Sequence, residues 1–208
     1  MAEVGKVLVT GAAGNTGSIL VPMLLDAGAD VRAFVHDRSK AVSLEETGAE
    51  IMEGDLRDPE DVRSALEGID KVYLLTWNGQ TQAEQALNLI EAAQEIGQPH
   101  IVRHSMWGSE KSRIVQQGMQ VEKELKESGL TWTILRPTFF MQNILMASQT
   151  IANEGKMYWS LEVAEIAMVD LRDVAQSALA VLTEEDHDGK TYTLTGPEAI
   201  TMHEAAEA

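Results

Sequence analysis

Cysteine is missing from all 208 residues, which excludes disulfides, thiolate metal sites and a cysteine nucleophile. Any redox work must therefore come from a cofactor. Bases are scarce: 16 lysines and arginines stand against 33 acids, a formal net charge of −17. Nucleic acid and anionic membrane surfaces both demand a basic footprint, so neither is expected as a partner. No apolar run approaches the roughly 20 residues of a membrane-spanning helix. Met1 to Lys6 is too polar and too short before Val7 for a signal peptide. The expectation is a soluble, cytoplasmic chain. Aromatic residues make up only 5%, and just three of them are tyrosines, which narrows the choice of proton donors.

What is present is an ordinary globular composition, 44% apolar and 24% charged, in a length suited to one α/β domain with a substantial core. Short β-branched runs alternate with amphipathic stretches, the pattern of βαβ units in a parallel sheet. Val7–Thr10, Val31–Val35, Ala49–Glu53, Lys71–Thr76, His100–Ser105 and Thr131–Arg136 are predicted strands. Ser18–Ala27, Ser39–Thr47, Pro59–Leu66, Gln82–Ile96 and Val115–Ser128 carry apolar residues at helical spacing. Gly28, Gly48, Gly68, Gly97 and Gly129 each fall just past one of these helices, where a C′ glycine is wanted. Asp58 before Pro59 pairs an N-cap with proline at N1. Beyond Arg136 the pattern predicts a helix over Phe139–Ala152, a turn at Asn153–Gly155, a helix over Leu171–Leu182 and a strand over Lys190–Leu194. Thr201 and Glu204 form a capping-box pattern. The expected fold is a Rossmann doubly wound parallel sheet over residues 1–152, with a small, shortened substrate-side region, residues 153–208, packed on the same domain.

Gly11, Gly14 and Gly17 stand between the first strand and the first helix. There the first glycine permits a tight turn, the second lets backbone approach a pyrophosphate, and the third lets the helix pack closely on the strand. The N–H groups and dipole of the helix start, Asn15 to Ser18, then face the phosphates. The second strand ends in Val35-His36-Asp37-Arg38. An acid at this place bonds a ribose 2′-OH and a base accommodates a 2′-phosphate. His36 and Arg38, with Lys40 close behind, favour NADP(H) over NAD(H), while Asp37 or a plain solvated loop keeps the alternative open. Asp55, before Leu56, is placed either to meet an adenine amine or to serve as a turn residue at the start of a helix. Thr76-Trp77-Asn78 and His104-Ser105-Met106 end the fourth and fifth strands, the edge where open α/β sheets bind ligands. Ser105 is a candidate for orienting a substrate or a cofactor amide.

With Gly11 to Gly17, Gly54-Asp55, Ser128-Gly129-Leu130, Thr133 to Pro137 and Val169 to Ala175 in view, the chain resembles the atypical short-chain dehydrogenases of the NmrA-like group over essentially its whole length. It looks most like the members described as NAD(P)H-dependent quinone oxidoreductases or triphenylmethane reductases. The resemblance implies that Gly11, Gly14, Asn15, Thr16 and Gly17 hold the pyrophosphate, His36 and Arg38 the adenosine end, and Asp55 with Leu56 the adenine. It places Thr76 and Trp77 beneath the cofactor and Pro137 through Phe140 beside the nicotinamide. Phe139, Phe140, Met141 and Asn143 then become substrate-pocket residues. The group commonly carries a base where His36 stands, and its members continue further than this chain.

Conventional short-chain dehydrogenases use a tyrosine with a lysine four residues later. Tyr73, Tyr158 and Tyr192 are followed at that spacing by Trp77, Glu162 and Gly196, so the dyad does not exist and no catalytic residue is assigned. A ketone needs a positioned acid, whereas a quinone or cationic dye does not. His100 and His104 lie about 13 Å apart on an extended strand and make no metal pair. Nucleophile-elbow and P-loop patterns are absent. Two expectations remain: an NADP(H)-dependent reductase passing hydride to a quinone-like small-molecule acceptor, or a non-catalytic NADP(H)-binding redox sensor acting through a protein partner. Homodimerisation is left open.

Overall fold

The computed structural model describes residues 4–76, 79–159 and 164–207. These form a seven-stranded parallel sheet in the order β3-β2-β1-β4-β5-β6-β7, the doubly wound arrangement expected. The strands are β1 Lys6–Thr10, β2 Asp30–Val35, β3 Glu50–Glu53, β4 Lys71–Leu74, β5 His100–His104, β6 Trp132–Pro137 and β7 Lys190–Leu194. The helices are α1 Gly17–Asp26, α2 Val42–Glu45, α3 Pro59–Leu66, α4 Gln82–Glu95, α5 Arg113–Glu127, α6 Ser148–Glu154, α7 Leu171–Thr183 and α8 Met202–Glu207.

Successive strand residues face opposite sides of the sheet, and both sides are covered. Val7, Val9, Val31, Tyr73 and Val102 pack with Leu20, Leu24, Ala178 and Leu182 of α1 and α7. Leu8, Phe34, Val72, Leu74 and Ile101 pack with Leu66, Leu89 and Leu125 of α3, α4 and α5. Burial on both faces is why the central strands read as unbroken apolar runs. Burying each such large side chain contributes about 1.5–3 kcal/mol.

Local signals act where expected. Asp58 accepts from the Glu60 N–H at 2.9 Å and Pro59 opens α3. Thr201 and Glu204 bond reciprocally at the start of α8. Two predicted helices differ. The segment expected over Ser39–Thr47 is a 3-10 turn, Arg38–Ala41, followed by the single turn of α2. Asp37 caps it by accepting from Ser39, so winding starts tightly and ends within two turns. The helix expected over Phe139–Ala152 starts late, because Phe140 stays extended and pairs with Val169. The Val169 N–H bonds Phe139 O and the Met141 N–H bonds Val169 O. Winding then begins as a 3-10 helix, Met141–Ala147, and continues into α6. Predicted β4 also ends early, at Leu74: Leu75 and Thr76 leave the ladder where Thr10 caps the strand ends. No helix among the described residues is long and apolar enough to cross a membrane.

Candidate dinucleotide site

The strand order reverses between β1 and β4, and such a switch point opens a crevice at the carboxyl edge of the sheet. The glycine turn lies there. Gly11 takes a left-handed φ of +63° against Leu75. A Cβ on Gly17 would stand 2.4 Å from Gly11 O and 2.6 Å from Ala12 Cα, so the α1 start presses directly on the turn. A Cβ on Gly14 would meet only Gly11 O, at 3.1 Å. The Gly14 N–H bonds Gly11 O and the Ser18 N–H bonds Gly14 O, both at 2.9 Å. Ser18 therefore drops out of the expected set of free donors. The N–H groups of Asn15, Thr16 and Gly17 have no acceptor among the described residues, and α1 carries no side-chain cap. Three free donors at a positive helix end form an anion cradle.

Thr10 supports the turn and had no motif to announce it. Its buried hydroxyl lies 2.7 Å from Leu75 O and accepts from the Leu75 N–H at 2.9 Å. This ties the end of β1 to the chain leaving β4 and places Thr76 beside the glycines. Trp77 lies outside the described residues.

At the end of β2, His36 is exposed and Arg38 reaches Glu45, with Nε to Oε1 at 3.2 Å. Asp37 is committed to Ser39, which donates to its Oδ1 from the backbone N–H at 3.0 Å and from the hydroxyl at 2.6 Å. Those bonds hold its carboxyl below the usual range. Asp55 is clasped by Arg57, whose side-chain bonds lower its pKa to about 2. Leu56 is buried, and its carbonyl accepts from Asn88 at 3.1 Å. The basic character of this end thus comes from His36, Arg38 and also Arg57, which sequence patterns did not single out.

At the tips of β4, β5 and β6 the structure gathers polar groups in a nearly dry setting. Ser105 donates to Glu122 at 2.5 Å, and Glu122 receives Arg136 Nε at 2.9 Å. Arg103 is buried, donating to Leu74 O at 3.0 Å and to Thr76 Oγ1 at 3.2 Å. Desolvation lowers its pKa to about 10. On the other face of the sheet Tyr73 Oη meets His104 Nδ1. Burial pushes the tyrosine pKa up, and burial with Arg103 nearby lowers that of His104 to about 3. Of these residues only Thr76 and Ser105 were expected at the site. The signal available was charge inside an apolar pattern: Arg103 and Arg136 within strands, and Glu122 on the helical face of Val115, Gly118 and Leu125.

Beyond buried Pro137, the half-buried Phe139 and Phe140 spread along this edge. Phe139 meets Trp159 edge-on at 5.6 Å and Phe140 meets His104 at 6.1 Å between ring centres. Met141 is exposed, and Asn143 closes a turn on Phe140 O at 3.0 Å. Gln142 accepts from the Leu171 N–H at 3.1 Å, which fastens this segment to the start of α7.

A doubly wound sheet whose switch point carries a glycine turn and a helix with free N–H donors defines a Rossmann dinucleotide-binding protein. The family described as NAD(P)H-binding matches residues 11–185. The chain belongs to that family. It is 36% identical over 205 residues to the NAD(P)H azoreductase of Xenophilus azovorans, covering 97% of this chain and 72% of that protein. It superposes on the NADPH-dependent quinone oxidoreductase of Escherichia coli, solved with NADPH, at a TM-score of 0.88 and 28% identity, covering 97% of this chain and 73% of the other. The Citrobacter triphenylmethane reductase solved with NADP(H) gives 0.86 and 25%, covering 97% and 74%. These relatives agree with the atypical short-chain dehydrogenase grouping that the motifs imply.

Proposed function

We infer that this protein is an NADP(H)-dependent reductase that passes hydride to a small electrophilic acceptor of the quinone, azo or cationic-dye type. The observation that carries this is the cradle at the start of α1, with free N–H groups on Asn15, Thr16 and Gly17 and no Cβ at Gly14. It fits a dinucleotide pyrophosphate in shape and charge. When bound, NADPH supplies the hydride.

The chain's own residues bind and orient. Gly11, Gly14, Asn15, Thr16 and Gly17 hold the pyrophosphate. His36 and Arg38 take the 2′-phosphate, since Asp37 is engaged by Ser39. Asp55 and Leu56 border the adenine. Thr76 and Ser105 lie beneath the nicotinamide end with Pro137 beside it. Phe139, Phe140, Met141 and Asn143 line the acceptor side, and the aromatic rings exclude water there. Such acceptors need no tyrosine and lysine pair, because proximity to the reduced ring supplies most of the rate. The sensor alternative is not favoured, as the relatives named above are reductases.

Oxidation of NADPH by a panel of quinones, azo compounds and triphenylmethane dyes tests this, with Gly14→Asp as the binding-deficient control. Turnover in the parent that is lost in the control is expected. A parent that binds NADPH yet reduces none of the three acceptor classes would overturn the assignment.

A further inference from the structure

Tyr73 and His104 form a buried pair that the binding roles above leave unused. Tyr73 sits opposite Val102 in the β4–β5 ladder, two residues nearer the amino edge of the sheet than His104 and on the same face. Its hydroxyl meets His104 Nδ1 and has no other partner among the described residues. Both groups are neutral: burial raises the tyrosine pKa and lowers that of the histidine to about 3. If Nδ1 carried the proton, the buried Tyr73 O–H would have no acceptor. The satisfied arrangement has Tyr73 donating to Nδ1, which leaves the proton of the imidazole on Nε2. His104 is the last residue of β5, at the carboxyl edge of the sheet, and Phe140 of the proposed acceptor pocket lies edge-on to its ring at 6.1 Å between centres.

We propose that His104 is a catalytic hydrogen-bond donor, its Nε2–H directed at the acceptor oxygen, and that Tyr73 is the positioning residue that fixes the required tautomer. The proposal rests on the reductase assignment above. In quinone reduction NADPH gives up a hydride, two electrons with one proton, and leaves as NADP+. The quinone becomes a hydroquinone monoanion, and water supplies the second proton. His104 keeps its own proton and stabilises the negative oxygen, as donors aimed at developing charge do. Its imidazolium is too acidic to form at neutral pH, so it acts as a fixed dipole and not as a proton source. The charged groups near it are Arg103, its neighbour on the opposite face of β5, and beyond Ser105 the paired Glu122 and Arg136. Both arginines stay charged through the neutral range.

The test uses three variants with a soluble naphthoquinone. His104→Phe should lower kcat about 100-fold, the scale of losing one donor to developing charge, with the NADPH Kd unchanged. His104→Gln, whose amide keeps an N–H near the Nε2 position, should recover about tenfold of that loss. The parent rate should be flat from about pH 5.5 to 8.5, the range where an ordinary histidine titrates. Tyr73→Phe should lower kcat severalfold with the profile still flat, since the freed imidazole can take either tautomer while burial and Arg103 still oppose its protonation. Nitrogen-15 NMR of the imidazole gives a readout independent of turnover: a protonated Nε2 and bare Nδ1 in the parent, and mixed tautomers in Tyr73→Phe. Quinone reduction by His104→Phe within about twofold of the parent would overturn the donor role and leave the reductase assignment standing. If His104→Phe does not fold, Tyr73→Phe decides: a parent-like kcat together with mixed tautomers would overturn the proposal. An Nδ1-protonated ring in the parent overturns the proposal whatever the activity. A parent inactive with every acceptor overturns the reductase assignment and the donor role together.

Discussion

Glu122 and Arg136 form an ion pair under the tips of β5 and β6, with Arg136 Nε 2.9 Å from Glu122 Oε1 and the carboxylate side chain only 3% exposed. Ser105 adds a further bond, at 2.5 Å. The carboxylate is satisfied only by partners lying 17 residues back and 14 residues on along the chain. Deleting the carboxylate leaves Arg136, whose side chain is 32% exposed and can be solvated, so the cost falls below that of a fully buried pair, about 3–5 kcal/mol. Glu122→Ala should lose about 1–3 kcal/mol in urea unfolding, and Ser105→Ala about 1 kcal/mol. Equal losses for the two would mean that Arg136 finds its charge balance elsewhere.

Gly14 and Gly17 should separate binding from folding. A side chain at Gly17 meets backbone at 2.4 Å, so Gly17→Ala should destabilise by about 1–3 kcal/mol or more through overpacking. Gly14 is far less crowded: a Cβ there would meet only Gly11 O, at 3.1 Å, which asks the turn to give by a few tenths of an ångström. Gly14→Asp should cost less stability than Gly17→Ala and yet lose NADPH binding, as read by calorimetry. NADPH affinity equal to the parent's would displace the cofactor from this turn.

Arg38 is held by Glu45 at 3.2 Å, a partner that competes with any 2′-phosphate. Glu45→Gln should raise the preference for NADPH over NADH a few-fold, and Arg38→Ala should lower it about tenfold, on the scale of one charge-assisted bond. The ratio of the two dissociation constants checks both. An unchanged ratio in Arg38→Ala would leave the selection to His36 and Arg57.

Stability should fall on acidification before the carboxylates titrate. His104 is neutral in the folded protein, with its pKa lowered to about 3 from 6.5, and burial also lowers that of His100. The unfolded chain therefore binds protons that the folded chain refuses. Stability is full above the unfolded pKa and declines as pH falls below it, by up to about 1.4 kcal/mol per pH unit for each group. For His104 the decline runs from pH 6.5 down to about 3. Denaturant midpoints at pH 7 and pH 5 should show the loss, and His104→Gln should reduce it. A midpoint constant over that interval would mean that His104 is protonated in the folded state.

Close approach also decides the far side of the sheet. A Cβ on Gly196 would stand 2.0 Å from Met168 O. Gly196→Ala should push apart the segments around Met168 and Leu194 and lower Tm by several degrees, about 2–4 °C for each kcal/mol in a chain of this size. An unchanged Tm would show that the backbone there yields freely.

What the amino-acid sequence determined alone is what short-range chemistry encodes. Apolar periodicity gave away the alternating strands and helices, Asp58-Pro59 and Thr201-Glu204 marked helix starts, and Gly11, Gly14 and Gly17 identified the turn by position as much as by pattern. Each of these signals lies within a few residues of its effect. Periodicity could not tell that Phe140 would pair with Val169 and delay a helix, because that choice belongs to a strand bridge 29 residues away. Nor could it pair Tyr73 with His104, 31 residues apart, or Glu122 with Arg136 and Ser105. Those contacts exist because parallel crossovers bring the ends of β4, β5 and β6 side by side. Burial there then makes each polar group find a partner, and the tertiary structure alone decides which partner it is.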